Sequence, residues 1–472
     1  MSGSLTSGSG GGRKTVQHGG HGGRRVNQAG REFPREDTKN SRRRLTGPRA
    51  GTTIRRGVGD LANYHSQQEH ALHGLDLRQA HIIDLSVEDA VKSIVLLAFL
   101  ILLDVSVAGA QVYTVTDLGP MAPTAINNLG QVVGNRNGSA FLWSKGQAAR
   151  NLGTLFEGTS TYAASINDLG VVTGTAVGPG LVISPDSSIP NEACSDLTQP
   201  FVWTQTNGVQ GLGTVGVPPY EIMSPYWCEI QFYGTGINAF GQVVGYTTEY
   251  EDNYQWAFSW TSTAGMTLFG SSFPPSVANA VSDGGEAVGQ TGVLLGQANS
   301  WRDGVDTVLG TFGDLDYSSS ANAINDVGQA AGWSTTIALN DCDWNLATCP
   351  MRAVLWTPTG EISDLGTLPG DTLSAASGIN VAGQVIGASG KTLVGQGWGG
   401  NGGSGFGGDG GSVAVIGRPF IWSASTGMQD LNTLIGAGSG WVLNSVSGIN
   451  ASGQIVGSGT WKGQSHGFLL TP

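Results

Sequence analysis

The sequence predicts an all-β protein: a β-propeller, most simply of seven four-stranded blades, closed by pairing of its N- and C-terminal strands. Three observations carry that prediction. A core phrase, Ile-Asn-x-x-Gly-x-x-x-Gly, recurs seven times between residues 126 and 457. Each copy is followed by an aromatic phrase, and most by a Leu-Gly-Thr phrase, so a unit offers four short strands. A spare Leu-Gly strand precedes the first copy, and the last copy lacks one. Four-stranded units at roughly 40–50 residues mark propellers.

The core phrase reads as a tight hairpin and is clearest over 376–387. Its Asn position holds Asn127, Asn167, Asn238, Ser282, Asn325, Asn380 and Asn450. Asn opens a type I turn because its side chain bonds to the backbone just ahead. Three residues on stand Gly130, Gly170, Gly241, Gly285, Gly328, Gly383 and Gly453. There a glycine takes positive φ and restarts pairing, where a Cβ would cost about 1–2 kcal/mol. Four further on, Gly134, Gly174, Gly245, Gly289, Gly332, Gly387 and Gly457 complete a second column. The flanks, such as Val243-Val244, are apolar and partly β-branched and read as strands.

The aromatic phrase runs Ala140-Phe141-Leu142-Trp143, Pro200-Phe201-Val202-Trp203, Ala257-Phe258-Ser259-Trp260, Ala353-Val354-Leu355-Trp356 and Pro419-Phe420-Ile421-Trp422. It is worn to Ala298-Asn299-Ser300-Trp301 in the fourth unit and Gly467-Phe468-Leu469-Leu470 in the last. The tryptophans at 143, 203, 260, 356 and 422 are expected in the core. The Leu-Gly-Thr phrase, as in Asp364-Leu365-Gly366-Thr367-Leu368, is expected to be the fourth strand. The spare strand, Tyr113 to Gly119, and the missing last one make one composite blade, which removes exposed edges. The count is then seven; the weak fourth unit leaves six or eight open.

Ahead of the repeats, residues 1–60 hold thirteen Lys/Arg against four Asp/Glu. Residues 1–90 read as a disordered basic segment. Residues 91–110 read as a signal peptide: Lys92, the apolar run 94–103, then Ala108-Gly109-Ala110. That run is too short for a membrane span, which takes about twenty apolar residues. A signal peptide so far into the chain suggests translation from near Val91, with 1–90 a start-site artefact; a long leader is the alternative. The expected location is extracellular or in the cell envelope.

The mature region, 111–472, carries 8 Lys/Arg and 25 Asp/Glu, a net charge of −17. Nucleic acid and anionic membrane surfaces are therefore not expected as partners. The four cysteines, Cys194, Cys228, Cys342 and Cys349, all lie in insertions between phrases. An even count in an exported chain suggests disulfides. Proximity favours Cys342–Cys349 and Cys194–Cys228 among three possible connectivities. Residues 395–412 contain Gly-x-Gly-x-x-Gly but no flanking βαβ pattern, and read as a loop rather than a dinucleotide site.

Chemistry is sparse. His466 is the one histidine of 111–472, at a register that holds Ser139, Gln199, Trp256, Arg352 and Arg418 in other units. A structural role is expected, and neither a Ser-His-Asp triad nor a multi-histidine metal site. Carboxylates at 249, 251, 252, 314, 316, 341 and 343 read as solvated acidic loops. No catalytic residue, metal site or cofactor is expected. Six of the ten tyrosines lie between 220 and 254. From this region Tyr226, Trp227, Tyr246, Tyr250, Tyr254 and Trp256 are the candidate binding residues, suited to a glycan or a protein surface.

Together, Gly-Ile-Asn-x-x-Gly-Gln-Val-Val-Gly, Ala-Phe-Leu-Trp and Asp-Leu-Gly-Thr-Leu resemble the bacterial HAF-repeat family over 112–471. His-Ala-Phe itself is absent, its nearest form being His466-Gly467-Phe468. The resemblance implies an extracellular repeat protein and brings no activity, ligand or site residue. The function expected is an exported, non-enzymatic binding or structural module. The alternative is a propeller that binds or degrades extracellular polysaccharide through the 220–256 region.

Overall fold

Each Asn-x-x-Gly phrase folds as the turn its residues demand. The computed structural model describes residues 112–157, 159–182, 192–213, 230–249, 255–269, 275–292, 296–313, 317–342, 349–395 and 413–472. Asn127 Oδ1 accepts from the amides of Leu129 and Gln131, and Gly130 N bonds back to Asn127 O at 3.0 Å. The glycine of this column lies at φ +73° to +79° in all seven copies. That is the left-handed region that a Cβ makes costly.

The strands on either side build seven antiparallel four-stranded sheets. The first comprises β2 (Ala122–Ile126), β3 (Val132–Arg136), β4 (Ser139–Trp143) and β5 (Arg150–Asn151). The next four follow in chain order: β6 (Thr161–Ile166) to β9 (Gly208–Gly211), β10 (Ile230–Ile237) to β13 (Gly265–Phe269), β14 (Ser276–Val281) to β17 (Val305–Val308), and β18 (Ser319–Ile324) to β21 (Ile362–Asp364). The sixth runs from β22 (Leu373–Ile379) through β23 (Val385–Gly395) and β24 (Val413–Ser423) to β25 (Gly427–Asp430). The worn fourth unit is a full blade. Trp301 and Ala298 stay buried there, and Asn299, also buried, takes the phenylalanine register.

The seventh sheet is the composite one. Its order is β1 (Thr114–Gly119), β28 (Gln464–Thr471), β27 (Ile455–Trp461), β26 (Trp441–Ile449). Thr114 pairs with Thr471 and Asp117 with Phe468. The first strands of successive blades touch all the way round, β26 against β2 included. The protein is a closed seven-bladed propeller.

The second glycine column answers to a bulge. In every blade the first strand slips register near its middle, as between Ala376 and Gly378. The slip pushes a first-strand carbonyl toward the second strand. A Cβ on Gly387 would fall far inside van der Waals contact of Ala375 O, and one on Gly174 would meet Tyr162 O in the same way.

The fourth strand differs from the expectation. In the first, second, fourth, fifth and sixth blades it is the run before the Leu-Gly-Thr or Leu-Asn-Thr phrase, not the phrase itself; in the third, the degenerate Met266-Thr267-Leu268 lies within the strand as expected. Leu152 and Leu365 each give one last amide bond to the aromatic strand, to Ala140 O and Ala353 O. Gly153 and Gly366 then turn the chain out at φ +88° and +79°. Their amides bond to Oδ1 of Asn151 and Asp364, so the recurring acid here is a turn cap.

The Asn column also joins the blades. Nδ2 of Asn127 donates to Asn167 O, Asn167 to Asn238 O, Asn238 to Ser282 O, Asn325 to Asn380 O, Asn380 to Asn450 O, and Asn450 to Asn127 O. Ser282 cannot reach, so the ring is open between the fourth and fifth blades. A second ring runs along the same first strands, two residues before the isoleucine register. Thr124, Thr235, Asn279, Asn322, Ser377 and Ser447 each donate to a carbonyl of the next blade. Its gap is at Ala164, where the Asn ring is intact. Every junction is therefore crossed by at least one buried or half-buried bond.

Apolar side chains fill the spaces between blades. Phe201, Phe258, Phe420 and Phe468 are fully buried. Of the repeat tryptophans, Trp203 and Trp356 are buried as expected; Trp143, Trp260 and Trp422 are half-buried and pack against the core from its margin. Among the described residues no helix is long and apolar enough to cross a membrane.

Candidate binding site

Alternation along the composite sheet places one set of side chains on the face toward the sixth blade. From β1 and the residue before it come Tyr113, Val115 and Asp117; from β28 come His466, Phe468 and Leu470. Trp461 ends β27 and pairs directly with Trp441, which starts β26. The deep part of this face is core: Tyr113, Phe468, Leu470, Leu443 and Ile455 pack on Ile386, Ile421 and Leu431 of the sixth blade and its exit turn.

The shallow part is not filled. A pocket of about 430 Å³ opens there, lined among others by Tyr113, Thr114, Asp117, Ser439, Trp441 and Trp461. The Trp441 and Trp461 rings stack with centroids 6.1 Å apart and planes 21° from parallel. Trp441 meets Phe468 edge-on at 6.0 Å, which anchors the pair on the core. Lys462 Nζ stands 4.0 Å from the Trp461 ring centroid, a cation–π contact at the hairpin tip. His466 lies 5.6 Å from Trp461.

Tyr113 is tied by its backbone. Its amide donates to Leu434 O at 2.7 Å, and it bridges Ile435 in parallel. The loop that follows turns at Gly438 and Gly440, both at positive φ, and delivers Ser439 to the pocket. The Tyr113 hydroxyl is buried with no hydrogen-bond partner. Burial pushes its pKa up to about 12, because the phenolate would have to form away from water.

Asp117 and His466 repeat a register seen in other blades. Third-strand arginines face fourth-strand acids at Arg352–Asp364 and Arg418–Asp430. There the two carboxylate oxygens divide the work. Asp430 Oδ1 accepts the Asn432 amide while Oδ2 takes Arg418 Nη1 at 3.1 Å. In the composite blade, Gly119 N at 2.7 Å and His466 Nδ1 at 2.8 Å both lie on Asp117 Oδ1. The shorter imidazole stops at the first oxygen.

Of the residues expected to bind, Tyr246 is buried in β11 (Val243–Glu249) and stacks on its cross-strand partner Tyr233 at 5.1 Å. Trp256 is half-buried on β12 (Gln255–Thr261), packed against the cluster of Phe232 and Phe258. Tyr226, Trp227, Tyr250 and Tyr254 lie outside the described residues, as do residues 251–252, 314–316 and 343. Cys342 and Cys349 form a disulfide, with Cα atoms 5.4 Å apart. Cys194 falls on β8 (Glu192–Thr204), and Cys228 lies outside the described residues. Among the described residues no group of three or more His, Cys, Asp or Glu could hold a metal ion.

Tyr113, Trp441 and Trp461 were not singled out as binding residues by sequence reasoning. The signal was there for the tryptophans. Both fall in the last unit, off the aromatic column, and no other unit has tryptophan nine residues before its Asn or four after its second glycine.

No family model matches the sequence, and no curated protein matches it. Solved structures give distant likenesses. A catalytically inactive virginiamycin B lyase from Staphylococcus aureus, with quinupristin, is 10% identical over 76% of this chain and 100% of that one, with a TM-score of 0.42. Dipeptidyl peptidase 4 of Porphyromonas gingivalis is 8% identical over 57% of this chain and 43% of that one, TM-score 0.32. A mutant of AofleA from Arthrobotrys oligospora is 11% identical over 67% and 89%, TM-score 0.30. Nothing that those proteins bind or act on passes to this chain at such distances; the propeller is defined by its own seven sheets.

Proposed function

We propose that residues 111–472 act as an exported, non-enzymatic binding module of the HAF-repeat kind, with the pocket on the composite blade as its ligand site. The observation that carries this is the pair Trp441–Trp461. The repeat accounts for its own Asn, Gly and Phe columns by turns, close approach and core packing. It gives no reason for two additional tryptophans lining an open pocket. Large aromatic side chains beside a few polar groups suit recognition.

The non-enzymatic reading draws support from His466, which takes the place of structural arginines. Export draws support from the apolar run 94–103 with its small-x-small ending, and from the Cys342–Cys349 disulfide, a bond that persists in oxidising compartments.

The test is retention of the purified 111–472 protein on envelope and extracellular material of the producing cell. Saturable retention, lost in Trp441→Ala and Trp461→Ala with the fold intact, is the expected result. Retention indifferent to both substitutions, or none, would overturn the site. Turnover of any component, abolished by one carboxylate substitution, would overturn the non-enzymatic reading.

A further inference from the structure

We infer that the ligand of this pocket is a neutral carbohydrate, bound with its ring against the tryptophan wall and a pair of its hydroxyls on Asp117. The inference rests on the reading that the pocket is a ligand site. Three features favour sugar over other small ligands.

The first is the free oxygen of Asp117. Where the register holds arginine, the guanidinium occupies the outer oxygen of the paired acid, as Arg418 does at Asp430 Oδ2. With His466 in that place, both bonds to Asp117 fall on Oδ1. Oδ2 keeps its lone pairs, on a carboxylate already fixed in orientation by an amide and an imidazole. A carboxylate oxygen accepts two hydrogen bonds, and a vicinal diol offers them side by side.

The second is the Ser439 hydroxyl, which lines the same pocket and accepts from the Trp441 amide at 3.3 Å. Its own proton can go to a ligand oxygen.

The third is the shape of the apolar surface. A pyranose has one face of C–H groups and a belt of hydroxyls around it. Trp441 and Trp461 line the pocket and supply apolar surface for the face, with the Lys462 ammonium over part of Trp461 and the polar groups beside them. About 430 Å³ is room for more than a monosaccharide. The charge of the mature region, −17, and the carboxylate at the site disfavour uronic acids and other anionic sugars. A quaternary ammonium would also suit aromatic walls and the carboxylate, but it has no hydrogen to give Asp117 Oδ2.

The experiment is titration of tryptophan fluorescence and calorimetry on the 111–472 protein. The probes are neutral glucose, galactose, mannose and N-acetylglucosamine oligomers, uronic-acid oligomers and tetramethylammonium. Saturable binding of at least one neutral oligomer is expected. His466→Arg, which installs the arginine of the other blades over Oδ2, should weaken it at least roughly tenfold, as should Asp117→Asn, the loss of one hydrogen bond to a charged group. Both variants should melt like the parent, since Oδ1 and the Gly119 cap remain. Neutral-sugar binding unmoved by His466→Arg and Trp461→Ala would overturn the inference, as would the absence of any neutral-sugar binding. Tetramethylammonium or uronate binding lost in Trp461→Ala would overturn the carbohydrate class while leaving the pocket as the ligand site.

Discussion

Asn450 Nδ2 donates to the backbone carbonyl of Asn127 at 3.0 Å, across 323 positions of sequence. The same side chain accepts the amide of Gln454 and the hydroxyl of Ser452 and donates to Gln454 Oε1. One residue thus folds its own hairpin and closes the propeller.

Asn450→Ala is expected to destabilise by about 2–4 kcal/mol, since four bonds at about 1 kcal/mol each are lost and buried partners are left unpaired. The converse change is at the open junction. Ser282→Asn places an amide within reach of Asn325 O and should stabilise by about 0.5–1.5 kcal/mol. Chemical denaturation of the two variants checks both signs.

Gly383 and Gly387 serve different needs and should respond differently. Gly383 sits at φ +73°, and alanine there should cost about 1–2 kcal/mol of backbone strain. Gly387 has ordinary backbone angles, but alanine would drive its Cβ into Ala375 O and must move the first strand. A cost of about 1–3 kcal/mol is expected, as for overpacking, and with it altered exchange of the β22 amides. Gly383→Ala should leave those amides unchanged.

Much of the fold was legible because the repeat is a backbone code. Asn and the first glycine announce a turn whose geometry few other residues satisfy, and the spare strand at one end matched the missing one at the other. The second glycine column was visible but unexplained. Its cause is a bulge on a neighbouring strand, which no spacing within the phrase reveals. The reach of Asn127 into the next blade was hidden for the same reason, as the partner is a backbone carbonyl of no particular residue type. The fourth strand was misplaced because Leu-Gly-Thr is more conspicuous than the short exposed strand before it. The pocket was missed because Tyr113 and Trp441 lie over 300 residues apart. Only ring closure brings them to one face.

The Cys342–Cys349 bridge closes a short loop, with a sequence separation of 7. Loop-closure entropy gives about 2–3 kcal/mol for it. Cys342→Ser with Cys349→Ser should lower stability by that amount under oxidising conditions. Intact-mass measurement before and after reduction of the parent checks that the bond is present.

Tyr113 makes stability depend on alkaline pH. Its folded pKa is about 12, against an ordinary value of 10.0. The unfolded chain loses the phenolic proton first, so stability is full below pH 10 and falls as the pH rises toward 12. Tyr113→Phe should remove that fall. Denaturation at pH 9 and pH 11.5, with phenolate absorbance followed in parallel, measures the difference between the two proteins.

The most direct test of the closed propeller is amide hydrogen exchange of the full chain, read on the peptide covering β1. Tyr113 and Asp117 reach the pocket only if this strand is locked onto β28. Closure predicts that β1 exchanges at the rate of global unfolding, together with β27 and β28, and that Asn450→Ala accelerates all three alike. A β1 that exchanges freely while β27 stays protected would contradict closure and dissolve the pocket with it.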